Sequence, residues 1–102
     1  MPKAKIHIRR IQNITSRYTK HKVYIDGFMV GSLKCGEAKW FDINDEGIIQ
    51  IMIREQGLNS NGVEFSVIQG NEYFFECGRY KAGAGLRLNY LGTLCFEKVL
   101  LF

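Results

Sequence analysis

Two histidines, three cysteines and a few acid-rich turns are the side chains in this 102-residue chain that could carry reaction chemistry. Nucleophilic catalysis needs a nucleophile, a base and a group that orients the base. His7 and His21 both lie in the N-terminal quarter, and His7 alternates with Ile6 and Ile8, which places it outward on a strand. A Cys–His couple would require Cys35, in the turn Lys34-Cys35-Gly36, to fold against one of them. Asp42, Asp45 and Glu46 cluster around one turn, where carboxylates ordinarily cap local N–H groups. Their spacing is not that of a dedicated calcium loop. The stretch Arg79 to Arg87 combines glycines with Lys81 and Arg87 and would suit an anion nest, but no helix follows it. Its ordinary reading is a connection between strands.

Cys35, Cys77 and Cys95 stand 42 and 18 positions apart, an odd count with no Cys-x-x-Cys. Neither a disulfide framework nor a zinc site is indicated, and no metal or cofactor is expected. Cys77 and Cys95 sit in apolar runs and read as small core residues. A reducing, cytoplasmic setting is the expectation. The basic start is followed by the alternation Ile6-His7-Ile8-Arg9 rather than an apolar stretch, which argues against a signal peptide. No apolar run approaches the ~20 residues of a membrane helix.

The net charge of +4 conceals an asymmetry. Residues 1–25 carry seven bases and no acid, whereas residues 26–102 carry seven bases and ten acids. A basic arm on a mildly acidic body can attract phosphate, a membrane surface or an acidic partner. Arg9, Arg10, Arg17, Lys20 and Lys22, with Lys81 and Arg87, are the candidate binding residues for nucleic acid or another anion. The competing reading is a solvated outer face, normal in β proteins.

The elements that must position these groups are strands. Helical periodicity is nearly absent, and β-branched and aromatic residues come in short runs broken by Gly, Asn and Asp about every eight to twelve residues. Lys5 to Ile14 opens the series, with a phase change that predicts a bulge near Arg9-Arg10. Thr15 to His21 reads as a loop. Lys22 to Gly31 holds the strongest local signal, Asp26-Gly27 between two alternating segments, which predicts a two-residue hairpin with Val23 and Ile25 inward. Gly31 loosens the strand that follows. Turns are expected at Gly36, Gly47 and Gly70, with strands over Ala38–Ile43, Ile48–Arg54, Val63–Val67 and Glu72–Cys77. Ile49, Ile51 and Ile53 share one face, and Glu55 to Gly62 is a loop. Leu86–Leu91 and Thr93–Leu101 are one broken strand or two short ones, interrupted near Gly92. Seven to eight short strands without a helix make an all-β fold, a single antiparallel β-sandwich over residues 1–102, with a barrel as the alternative.

The stretch Val23-Tyr24-Ile25-Asp26-Gly27-Phe28-Met29-Val30-Gly31-Ser32-Leu33, then Gly36-Glu37, Gly47 and the strand Ile48–Ile53, resembles a PEGA-type β-sandwich module. Such modules run V-x-I/V-D-G-x-x-V-G, a turn, a strand, P-G-x-H and x-I-x-V. The likeness continues through Val63–Val67, Gln69-Gly70 and Tyr73-Phe74-Phe75 and covers residues 22 to 77. It departs at Asn44-Asp45-Glu46-Gly47, where the family has Pro-Gly and then His. The chain is also similar to small uncharacterised bacterial all-β proteins that place an I-x-I-x-R strand, here Ile6-His7-Ile8-Arg9, before that hairpin. The resemblance implies a compact sandwich used as an accessory binding module, with no catalytic residues.

The polar residues thus fall where turns and outer faces need them, and no convergent catalytic set emerges. The expected function is a non-catalytic protein-interaction or assembly module, bound to a protein partner or to itself. The alternative is nucleic-acid or anion binding through residues 3–22. Outward apolar positions Ile48, Met52 and Ile68, and the chain end Leu100-Leu101-Phe102, are the candidate partner surfaces.

Overall fold

A computed structural model describes residues 3–11, 19–44, 46–79 and 85–94. The described residues form nine strands and no helix: β1 (Ala4–Arg10), β2 (His21–Ile25), β3 (Phe28–Leu33), β4 (Ala38–Ile43), β5 (Gly47–Glu55), β6 (Leu58–Asn59), β7 (Val63–Val67), β8 (Glu72–Arg79) and β9 (Leu86–Leu94). They build two packed sheets, one ordered β4-β1-β8-β9 and the other β3-β2-β5-β6, with β7 also paired to β5. The all-β sandwich expected from the sequence is therefore present. Its sheets are antiparallel except at the centre of the first, where β1 and β8 run parallel.

Period-two alternation explains the core. Ile6 and Ile8 of β1, Val23 of β2, Ile49, Ile51 and Ile53 of β5, and Tyr73, Phe75 and Cys77 of β8 all point between the sheets and are buried. Each fully buried aliphatic or aromatic side chain contributes about 1.5–3 kcal/mol relative to exposure. Ile25, Phe41, Val63 and Phe65 pack around this cluster. At Gly31 the two sheets come close: a Cβ there would stand 2.7 Å from a ring carbon of Phe41 on β4. The β2–β3 register also shifts beside this glycine, between Val23–Gly31 and Tyr24–Met29, where the strand is expected to loosen.

The Asp26-Gly27 hairpin is as expected, with φ of 49° and 83° at its two corner residues. A second hairpin of the same kind, Gln56-Gly57 with φ of 47° and 83°, turns β5 into β6. The sequence predicts a loop there, because Gln is an unusual residue for a left-handed position. Gly36, Gly47 and Gly70 also take positive φ at their turns.

Two expectations are corrected. β1 keeps its alternation unbroken to Arg10, with no bulge at Arg9-Arg10; Ile11 N–H continues the pairing by donating to the Cys77 carbonyl at 2.9 Å. His21 opens β2 instead of closing a loop. The interruption expected near Gly92 is present as a register shift inside one strand, β9, opposite Phe74 and Phe75. Two edges are blunted. Asn61 donates from its amide to the Leu88 carbonyl (2.8 Å) and accepts from Leu88 N–H (3.0 Å), occupying the free side of β9. On edge strand β4, Lys39 donates to the Ser32 carbonyl of the other sheet.

Candidate functional site

The alternation that builds the core also carries polar side chains into it at one end. Arg10 follows Ile6 and Ile8 on the inner face of β1, Glu55 follows Ile49, Ile51 and Ile53 on β5, and His21 precedes Val23 on β2. Arg10 is 1% exposed, His21 0% and Glu55 1%. Glu55 is the hub. Its carboxylate accepts from Arg79 Nε at 2.7 Å and lies 3.1 Å from His21 Nε2 and 3.7 Å from Arg10 Nη2. Thr19 Oγ1 donates to it as well. Arg10 donates to the carbonyls of Leu33, at 2.9 Å, and of Thr19.

On the far side of the imidazole, His21 Nδ1 meets Cys77 Sγ at 3.8 Å. The sequence points to Cys35 for such a couple, but the cysteine that meets a histidine is Cys77. Cysteine, histidine and carboxylate stand in the order of a catalytic triad, but the thiol is not activated. Burial pushes it up to about 12, against the opposing effect of the Arg10 charge. A thiol with that value is protonated at neutral pH, and the thiolate is the nucleophile. The cluster is an internal polar layer that ties β1, β2, β5 and β8 together.

Burial, followed by the charge of Arg10, lowers His21 from its ordinary 6.5, although Glu55 pulls the other way. Burial alone would raise Glu55, but hydrogen bonds from Thr19 and Arg79 outweigh it and hold the carboxyl below 4.5. Both shifts act in one direction on stability. The unfolded chain binds a proton on His21 near 6.5 while the folded chain resists it, so stability falls as pH drops through that value. Glu55 contributes fully above 4.5, and its contribution disappears as pH falls through the lower folded value. The urea midpoint is therefore expected to decline steadily from pH 7 to 4, and His21→Gln to flatten the part of the decline nearest 6.5. A midpoint that rises between pH 7 and 5.5 would contradict this assignment.

The second concentration of unusual side chains is the outer face of the sheet β4-β1-β8-β9. Three cross-strand rows cover it, each set by register: Asp42–Lys5–Glu72–Leu94, Trp40–His7–Phe74–Gly92, and Ala38–Arg9–Glu76–Asn89. The His7 and Phe74 rings stack with centroids 4.6 Å apart at 11°. Lys5 Nζ lies 4.5 Å over the Trp40 ring. His7 Nε2 meets Glu72 Oε1 at 2.5 Å, and Arg9 pairs with Glu76. Trp40 is 54% exposed and Leu91 55%. Between them runs a groove of about 280 Å³, walled by Ala38, Trp40, His7, Phe74 and Leu91.

Among the described residues the candidate binding residues lie on different elements. Arg9 and Arg87 lie exposed on strands of this sheet, Lys22 is exposed on β2 of the other, and Lys20 precedes it. Arg10 is interior and committed to Glu55 and two carbonyls. Arg17 and Lys81 lie outside the described residues, as do Asp45, Cys95 and the chain end Leu100-Leu101-Phe102. Asp42 and Glu46 are exposed. Among the described residues no three His, Cys, Asp or Glu side chains are grouped so as to hold a metal ion. Ile48 and Ile68 are exposed, at 73% and 54%, and Met52 is half-buried. Sequence reasoning missed both the polar layer and Trp40, yet each has a signal: extending each alternation by one residue carries Arg10, Glu55 and Cys77 inward, and Ala38-Lys39-Trp40-Phe41-Asp42-Ile43 puts Trp40 opposite Phe41.

These features define a small β-sandwich with an internal ionic layer and one aromatic outer face. No family model, curated protein or solved structure matches the chain. The PEGA-type resemblance rests on the motif residues quoted above.

Proposed function

We propose that this protein is a non-catalytic interaction or assembly module whose working surface is the outer face of the sheet β4-β1-β8-β9. One observation carries the reading: Trp40 and Leu91 stand more than half exposed on either side of the stacked His7–Phe74 pair. An outer sheet face normally carries polar side chains, and contiguous exposed apolar surface marks contact sites. Tryptophan is among the residues that dominate binding energy once buried in an interface. The carboxylates on this face have partners, Glu76 with Arg9 and Glu72 with the His7 ring nitrogen, which suits a protein surface better than a polyanion. The buried free thiol of Cys77 is compatible with a reducing, cytoplasmic compartment. No helix among the described residues is long and apolar enough to cross a membrane.

A photoreactive phenylalanine analogue at position 40, with one at exposed Gln50 as control, tests the proposal in the cell. Discrete protein adducts at position 40 that are absent at 50 are expected. No adducts, or the same adducts at both positions, would overturn it. Nucleic-acid binding through residues 3–22 is the rival reading. Micromolar affinity for random oligonucleotides that falls steeply with salt would favour it instead.

A further inference from the structure

The arrangement of this face bears on what could cover it. β1 and β8 are parallel and in register, so Lys5 stands level with Glu72, His7 with Phe74 and Arg9 with Glu76. A basic column on one central strand therefore lies beside an acidic and aromatic column on the other, residue for residue at the same height. We infer that the outer face of the sheet β4-β1-β8-β9 is a homodimer interface, with a two-fold axis along the strands between β1 and β8.

Rotation by a half-turn about that axis exchanges the two columns without shifting them along the strands. Lys5 then faces Glu72 of the second copy, Arg9 faces Glu76, and the His7 ring meets Phe74. Outside these columns, Trp40 on β4 comes over Gly92 on β9 of the second copy. Gly92 has no side chain, and among the described residues a Cβ built there would meet nothing within 4 Å. A projecting indole thus meets an open position beside Leu91, twice per dimer. The shape fit and the charge fit follow from one operation, which is what an isologous interface requires. Asp42 meets Leu94 only at the rim, where water still reaches. Four strands about 4.8 Å apart and about seven residues long cover roughly 450 Å² per copy, about 900 Å² in total, which is less than the about 1,200 Å² of a stable specific contact. A weak, concentration-dependent dimer is the expectation.

This inference rests on the reading of that face as the working surface, and it is tested by charge complementation in sedimentation experiments. The wild-type protein is expected to pass from monomer to dimer between about 1 and 300 µM, the range of a micromolar Kd. Arg9→Glu places glutamate opposite Glu76, and Glu76→Arg places arginine opposite Arg9, so each variant alone is expected to be monomeric. Mixed in equal amounts they are expected to form a heterodimer, because both facing pairs become opposite in sign. Loss of an internal ion pair cannot produce that rescue, since each folded variant lacks the pair in the mixture as well. Circular dichroism on each variant confirms that it is folded. Trp40→Ser is expected to weaken the dimer about tenfold or more. Wild type that stays monomeric, single variants that still dimerise, or a mixture that stays monomeric would each overturn the inference. If position 40 nevertheless crosslinks to other proteins, the interaction reading stands and only self-association falls.

Discussion

Glu55→Ala is expected to cost about 3–5 kcal/mol of folding stability, the range measured when one partner of a buried ion pair is removed. The reason lies in what would remain. The Arg10 side chain is 0% exposed and would lose the Glu55 carboxylate 3.7 Å from its Nη2. Thr19 and His21 would also lose the oxygen they address. Arg79, whose side chain is 34% exposed, can turn toward water and adds less to the loss. Domains of this size have total stabilities of about 5–15 kcal/mol, so the alanine variant would retain little. Glu55→Gln keeps the shape and one acceptor oxygen and is expected to fall between alanine and wild type. Urea denaturation at pH 7 reads both changes. A loss below about 1 kcal/mol for alanine would mean that the cluster is no more than a surface-like pair.

The second large effect separates two adjacent residues of the same type. Phe75 is 1% exposed and lies between the sheets, with ring centroids 5.2 Å from Phe65 and 5.4 Å from Tyr90. Phe75→Ala removes those contacts and opens a cavity, a loss of about 3–5 kcal/mol. Phe74 points the other way, onto His7. Phe74→Ala forfeits one stacking contact, about 0.5–1.5 kcal/mol, and leaves the fold intact. Its effect is expected in association instead, because it empties the centre of the aromatic row. Thermal unfolding and sedimentation on the two variants therefore give opposite patterns: Phe75→Ala unfolds early, whereas Phe74→Ala unfolds near the wild type and stays monomeric. If Phe74→Ala dimerised as the wild type does, the aromatic face would not be the contact surface.

Much of the fold was legible because a strand's side-chain period is two, and every clean alternation names its inner face. Val23 and Ile25 are expected inward and pack in or against the core, and Ile49, Ile51 and Ile53 share the one buried face of β5. The Asp26-Gly27 hairpin was legible because few residue pairs tolerate two consecutive positive φ values. The Gln56-Gly57 hairpin was not, since Gln accepts the same conformation only with the surrounding strands to hold it. The polar layer escaped for a different reason. Arg10, His21 and Glu55 sit at strand ends, where a charged residue normally marks the exit to solvent, and burying any one of them alone would be prohibitive.

Composition and alternation determined that this chain forms short strands, that they pair into layers, and which apolar residues face inward. Those are local properties, decided by pleat geometry and the removal of apolar surface from water. Tertiary structure alone decided that β1 lies parallel and in register with β8, and that Arg10, His21, Glu55 and Cys77 come together from four strands. It also decided that Trp40 shares a row with a glycine three strands away. Each of these depends on which strands become neighbours, and pairing between distant segments is set by the packing of the whole core.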